Sequence, residues 1–109
     1  SIAGYVAYTR QALNLADVYD DEALKRIHPS LTFLQEIDRR SGYRTKQMLV
    51  APILLGPTLQ GVVQMINNKA DQPFGALEVD GMAQISVCAG MTMRREPALP
   101  SLTAWWQRA

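Results

Sequence analysis

The segment Thr45-Lys46-Gln47-Met48-Leu49-Val50-Ala51-Pro52-Ile53-Leu54-Leu55, a turn at Gly56-Pro57-Thr58, and the segment Gln60-Gly61-Val62-Val63-Gln64-Met65-Ile66-Asn67-Asn68-Lys69 constrain this chain most. Two apolar runs of this length, separated by turn residues and ending on a polar cluster, read as two buried strands of an antiparallel hairpin. A third strand is expected at Ala12-Leu13-Asn14-Leu15-Ala16-Asp17, where apolar and polar residues alternate. The run 47–55 is expected to lie between the other two. Pro52 is unusual inside such a run, because proline donates no ladder hydrogen bond and belongs at an edge or a bulge.

Around the strands the pattern turns helical. Ile2, Tyr5, Val6 and Tyr8 suit a short helix. Asp20 is placed to cap a helix over 21–27, with two acids in its first turn. Pro29 ends it by pushing His28 out of the helical region. Ser30 is expected to cap a second piece, with Leu31, Leu34 and Ile37 on one face and Ser41-Gly42 as its stop. A last helix is expected over 77–93, with Leu77, Met82, Ile85, Ala89 and Met93 near helical spacing. Gly81 and Gly90 each cost it about 1 kcal/mol relative to alanine. Beyond Arg95, Pro97 and Pro100 break the chain, and Ser101 is placed to cap a terminal turn carrying Trp105 and Trp106. The whole reads as an α+β domain over 1–95 with a tail over 96–109.

The 109 residues suit one domain with a modest core. A net charge of +1 provides no field that would draw nucleic acid or an anionic membrane. The single cysteine, Cys88, excludes an internal disulfide and fits a reducing, cytoplasmic setting. No apolar run is long enough for a membrane span, so no membrane insertion is expected. Opening on Ser1 directly before a patterned segment, the chain reads as a piece of a longer protein.

Five motifs in order resemble GAF domains, the small-molecule-sensing modules of signalling proteins. Ser1-Ile2-Ala3-Gly4-Tyr5-Val6-Ala7 resembles G-I-A-G-x-V-A, and Leu13-Asn14-Leu15-Ala16-Asp17-Val18-Tyr19 resembles L-N-I-x-D-A-Y. Asp38-Arg39-Arg40-Ser41-Gly42-Tyr43-Arg44-Thr45 resembles D-x-x-T-G-Y/F-R-T. Val50-Ala51-Pro52-Ile53 resembles x-x-P-L/I, a proline the family keeps, and Gly61-Val62-Val63-Gln64-Met65-Ile66-Asn67 resembles G-V-x-Q-x-I-N. The resemblance implies a GAF-like antiparallel sheet with covering helices that lacks the family's first helix and first two strands. The family's cyclic-nucleotide branch also carries N-K…F-x-x-x-D-E. Here Lys69 stands one place late, Phe74 is present, and Glu78-Val79 replaces the acidic pair. A Lys69–Glu78 salt bridge tying the loop to the helix start is expected to contribute under about 1 kcal/mol.

The resemblance places ligand-binding residues at Asp17, Tyr19, Ser41, Tyr43, Thr45 and Gln64, around a pocket roofed by residues 20–40. Each also has an ordinary structural reading. A buried Gln64 amide needs partners inside the fold, at a cost of about 1–3 kcal/mol without them. Asp17 and Ser41 suit capping and turns equally well, and Tyr43 suits a core edge. His28, the one histidine, is expected at a helix end facing solvent, and Cys88 as a buried inert thiol. Arg39, Arg40, Arg44 and Lys46 suit a phosphate or a solvated face interleaved with Asp38. No residue set suggests a metal site or a nucleophile–base pair.

The function implied is a regulatory sensor that binds a small molecule, nucleotides among the candidates, and relays through its terminal helices to an effector domain in the parent chain. The cofactor is unknown. A scaffold that only dimerises is the alternative, favoured if bulky side chains fill the pocket. A methionine sulfoxide reductase of the GAF type ranks below both, because one helical cysteine supplies no resolving thiol. The segment His28-Pro29-Ser30-Leu31 also resembles GAF domains attached to secretion-type ATPases and to cyclase or phosphodiesterase chains. A homodimer is expected, through the last helix, through an open edge of the strand 60–67, or through both.

Overall fold

A computed structural model describes the backbone of residues 1–95 and the side chains through residue 92. The expected tail, with Pro97, Pro100, Ser101, Trp105 and Trp106, lies outside the described residues, as does the side chain of Met93.

The elements are helix α1 (Ile2–Thr9), strand β1 (Leu13–Leu15), helix α2 (Asp21–Ile27), helix α3 (Glu36–Ser41), strand β2 (Met48–Leu55), strand β3 (Thr58–Ile66) and helix α4 (Ala76–Arg95). The architecture is α+β. A three-stranded antiparallel sheet in the order β1-β2-β3 carries helices on its faces. Leu13 pairs with Val50 and Leu15 with Met48, while Val50 pairs with Gln64 and Pro52 with Val62. No helix among the described residues is long and apolar enough to cross a membrane.

The register explains Pro52. Asn67 donates its backbone N–H to Gln47 O, and Val18 donates its own to Lys46 O. Odd positions of β2 therefore address β3 and even positions address β1. Pro52 is even, and β1 ends its pairing at Leu13 opposite Val50. The donor that proline lacks would point past the end of β1, so no ladder bond is lost.

The alternation of β2 builds two cores. Met48 and Val50, with Val62 and Leu15, face Ile2, Val6, Val18, Leu24 and Leu31. Leu49 and Ala51 face Phe74 and Met82, with Val63, Met65 and Val79 packed beside them. Each fully buried aliphatic side chain contributes about 1.5–3 kcal/mol.

Helix α2 forms as the sequence dictates. Asp20 Oδ1 accepts from Ala23 N at 3.1 Å, and His28 leaves the helix in an extended conformation before Pro29. The second helical piece differs from expectation. Residues 31–35 are not helical, α3 begins at Glu36, and its cap residue Gln35 makes no side-chain cap bond. Leu31 is buried, whereas Leu34 and Ile37 are exposed. Leu31 leaves no room for a helix start, because the chain there drops it into the core as an irregular segment. Gly42 then ends α3 with a positive φ, as a left-handed stop requires.

The buried face of α4 also differs from expectation. Met82, Ser86 and Gly90, spaced four apart, face the sheet, while Leu77 and Ile85 are exposed. The reason is close approach. A Cβ on Gly90 would stand 2.7 Å from Leu54 O, so the helix turns its smallest residues inward. Ser86 satisfies its buried hydroxyl by donating to Met82 O at 2.8 Å.

These two glycines separate propensity from packing. Gly81 has open space around it, so Gly81→Ala should stabilise the protein by about 0.5–1 kcal/mol. Gly90→Ala should destabilise it by about 1–3 kcal/mol through the clash with the Leu54 backbone. Urea unfolding should show the midpoint moving in opposite directions for the two variants.

Candidate functional site

Asp38 ties the excursion between β1 and β2 to the sheet. It lies in α3, which ends one turn later at Gly42, whose N–H donates back to Asp38 O at 2.9 Å. The left-handed glycine reverses the chain and returns Thr45 to the same carboxylate. Thr45 N–H donates to Asp38 Oδ2 at 2.8 Å and Thr45 Oγ1–H to Asp38 Oδ1 at 2.9 Å. From the far side of the excursion, Tyr19 O–H donates to Asp38 Oδ2 at 2.7 Å. The Tyr19 ring meets Phe33 edge-on at 5.3 Å, and the Arg44 guanidinium lies 4.0 Å above the Tyr19 centroid.

Charge follows this geometry. Partial burial would raise the Asp38 carboxyl, but donation from Tyr19 and Thr45 and the nearby Arg44 charge together hold it below its ordinary value. The hydrogen bond to Asp38, helped by desolvation and the carboxylate charge, raises the Tyr19 phenol, against the pull of Arg44 and Arg39.

An open cleft of about 310 Å³ lies against this knot, lined by Tyr19, Asp38, Arg39, Gly42, Tyr43 and Arg44. Its lining offers two aromatic rings, a carboxylate and two guanidinium groups, a set suited to a polar heterocycle bearing an anion. A second cleft of about 370 Å³ is lined by Ser1, Tyr5, Tyr8, Thr9, His28, Ser30 and Leu31. There His28 Nδ1 accepts from Ser30 N at 3.1 Å, and the His28 and Tyr5 rings lie 5.8 Å apart.

The residues expected at the site divide. Tyr19 and Tyr43 line the first cleft, and Tyr43 is exposed. Thr45 is buried behind it, both of its donors on Asp38. Asp17 and Ser41 hold turns: Asp17 Oδ1 accepts from Tyr19 N at 2.9 Å and Ser41 Oγ from Tyr43 N at 3.1 Å. Gln64 lines neither cleft. Opposite Val50 and between Val62 and Ile66, it is half-buried on the sheet face under α1.

Two other expectations are corrected. Cys88 is exposed on α4, because the helix turns Met82 and Ser86 inward instead. The Lys69–Glu78 bridge is absent among the described residues. Glu78 Oε2 accepts from Gly75 N at 3.1 Å, and Lys46 pairs with Asp71 at 3.1 Å. From the segment 20–40, Leu24 and Leu31 are buried on the sheet face with Met48 and Val50, while α3 buries no side chain. His28 is exposed at the end of α2, as its sequence context requires.

The hairpin's polar end is a second knot. Asn67 adopts positive φ, accepts from Lys46 N at 2.7 Å and donates to Arg44 O at 2.9 Å. Buried Gln47 donates to Asp71 Oδ1 at 3.2 Å and accepts from Asn68 N at 3.1 Å. The hydrogen bond from Lys46, then that from Gln47, holds Asp71 below its ordinary value. Asn67 thus fixes the backbone on which Arg44 stands. No cluster of three or more metal-ligating side chains exists among the described residues.

Asp38 is the residue that sequence reasoning missed. Its signal lies in the spacing, a carboxylate four residues before a helix-ending glycine and seven before a threonine. Such a reversal brings the threonine back onto the carboxylate.

Comparison with known proteins gives a coherent set. No protein-family model matches the chain. It is 37% identical over 92 residues, 84% of its length, to a probable 3',5'-cyclic phosphodiesterase of Caenorhabditis elegans. It is 36% identical over 78 residues, 71% of its length, to a dual 3',5'-cyclic-AMP and -GMP phosphodiesterase of Drosophila melanogaster. It is 35% identical over 73 residues, 67% of its length, to the alpha' subunit of the cone cGMP-specific 3',5'-cyclic phosphodiesterase of Mus musculus. The chain spans 11%, 5% and 7% of these three relatives, respectively.

The Asp38 knot sets a pH dependence. A carboxyl held below its ordinary value adds stability above the carboxylate range and loses it as pH falls through the folded value. The native chain should therefore lose stability on acidification below about pH 5. Asp38→Asn should be less stable at neutral pH by about 1–2 kcal/mol, with a shallower acid slope; Asp71 leaves a residual slope of the same sign. Urea titrations at stepped pH measure both. Equal acid slopes in the two proteins would exclude this role for Asp38.

Proposed function

We propose that this chain is a GAF-type regulatory module of a cyclic-nucleotide signalling protein, binding a purine cyclic nucleotide beside the Asp38 knot. The likeness to three cyclic-nucleotide phosphodiesterases carries the reading. The five GAF-like motifs and the α+β sheet support it. Because the chain spans so little of these relatives, a regulatory role fits it better than the phosphodiester hydrolysis their names describe. In this reading the segment itself carries no catalysis, and an effector domain in a longer cytoplasmic chain receives the signal.

In this reading Tyr43 stacks on the base and Arg44 or Arg39 takes the cyclic phosphate, a charge-assisted contact. Tyr19 and Asp38 present the polar edge, and Thr45, Asp17 and Ser41 hold the walls. Gln64 contributes only to a ligand that also enters the layer under α1. The dimerisation scaffold is the second reading, favoured by the packed core over Leu24 and Leu31 and by the exposed Leu77, Ile85, Val87 and Met91 on α4.

Isothermal titration with cyclic GMP and cyclic AMP tests the two. The sensor reading expects a Kd of about 0.1–100 μM for at least one of them. Arg44→Ala should weaken it about tenfold or more. Gln64→Leu should leave affinity unchanged for a ligand confined to the cleft and weaken it for one that enters under α1. No heat with either nucleotide, alongside a dimer in sedimentation equilibrium, would favour the scaffold.

A further inference from the structure

Ser41 stands where a charge-reading enzyme finds a substrate. It is exposed, and Arg39 and Arg40 precede it while Arg44 follows, all three exposed as well. Its Oγ accepts one hydrogen bond, from Tyr43 N, so the hydroxyl hydrogen is not committed to that bond.

The segment also opens readily. Helix α3 has six residues, buries no side chain and makes no side-chain cap bond. A helix that short has little stability of its own. Asp38 and Thr45 pin the two ends of the segment, so residues 39–44, the last half of α3 and the turn after it, form an exposed, bracketed stretch. Local opening there leaves both cores intact, because none of these residues belongs to either cluster.

We propose that Ser41 is a phosphorylation site for a serine/threonine kinase that reads arginine around its target, and that the phosphate captures Arg44 from the Tyr19 ring. In the transfer, Ser41 Oγ attacks the γ-phosphorus of ATP. The Oγ–P bond forms, the bond from that phosphorus to the β–γ bridging oxygen breaks, ADP leaves, and the hydroxyl proton passes to the kinase's base.

The product carries nearly two negative charges and three acceptor oxygens. At the end of α3 the helix dipole opposes those charges, so they seek guanidinium partners. Arg40 already pairs with Glu36 and Arg39 with Gln35. Arg44, held by a ring face, is the least committed of the three, and a bidentate phosphate contact exceeds an exposed cation–π contact. Moving it strips a guanidinium from the cleft. That consequence rests on reading the cleft as the ligand site; the modification itself does not.

The experiment uses the 109-residue chain, ATP with magnesium, and two purified kinases. One kinase prefers arginine before the serine and the other prefers arginine on both sides. A synthetic peptide spanning 35–46 checks that each kinase is competent. Intact mass and peptide mapping should show one phosphoryl group on Ser41, absent in Ser41→Ala. Incorporation should slow about tenfold in Arg39→Gln/Arg40→Gln. The Arg44 Nε–H resonance should lose its ring-current shift on phosphorylation, without any nucleotide present. Transfer to another residue, or to the peptide and not the folded chain, or to neither, overturns the site. Modified Ser41 with an unmoved Arg44 resonance overturns the capture. Nucleotide affinity, measured separately, reports on the cleft's function alone.

Discussion

Strand β2 is paired with β1 through Met48–Val50 and with β3 along its length, and both its faces are buried. Every other element takes its position from that strand. Its even side chains require the cover that α1 and α2 supply, and its odd ones require α4. An apolar run covered on both faces cannot tolerate a slip of one residue, since that would exchange the two cores. The register then fixes where Thr45 and Gln47 stand, and with them both polar knots.

The site is a consequence of that placement. Asp38 binds nothing in the sheet by itself. It becomes a hub because Gly42 turns the chain back and because Thr45, adjoining β2, is held still. Tyr19 reaches the same carboxylate from the other end of the excursion, just beyond β1. One carboxylate therefore locks the beginning and the end of the excursion over residues 16–47, and the cleft beside it is the gap left between the lock and Tyr43. The packed layer under α1 and α2 shows a different physics. There Leu24 and Leu31 are buried against Met48, Val50 and Val62, so apolar packing holds the layer together.

Much of the fold was legible. The hairpin, the alternation in β1, the Asp20 cap, the extended His28 before Pro29 and the Gly42 stop are all local choices. Each is decided by a side chain acting within a few residues of its own backbone. Two helical faces were misread for the opposite reason. Leu31, Leu34 and Ile37 have helical spacing, yet only Leu31 found a core to enter. On α4, Leu77 and Ile85 lost the inward face to Ser86 and Gly90, because Leu54 O lies too near for anything larger. Spacing counts apolar residues; it does not measure the distance to a neighbouring backbone.

The sequence by itself determined the strands, their antiparallel order, both ends of α2 and the turn at Gly42, because propensity, capping and period act locally. It also carried the five motifs that resemble those of GAF domains. Only the tertiary structure decided that Asp38 is the hub, that Tyr19 and Arg44 meet over one ring face, that Gln64 stands apart from them, and that Cys88 faces outward. Those outcomes depend on where segments distant in sequence come to rest, as when Tyr19 meets Asp38 and Arg44, and that is fixed by the burial of β2 between two layers rather than by any residue's own preference.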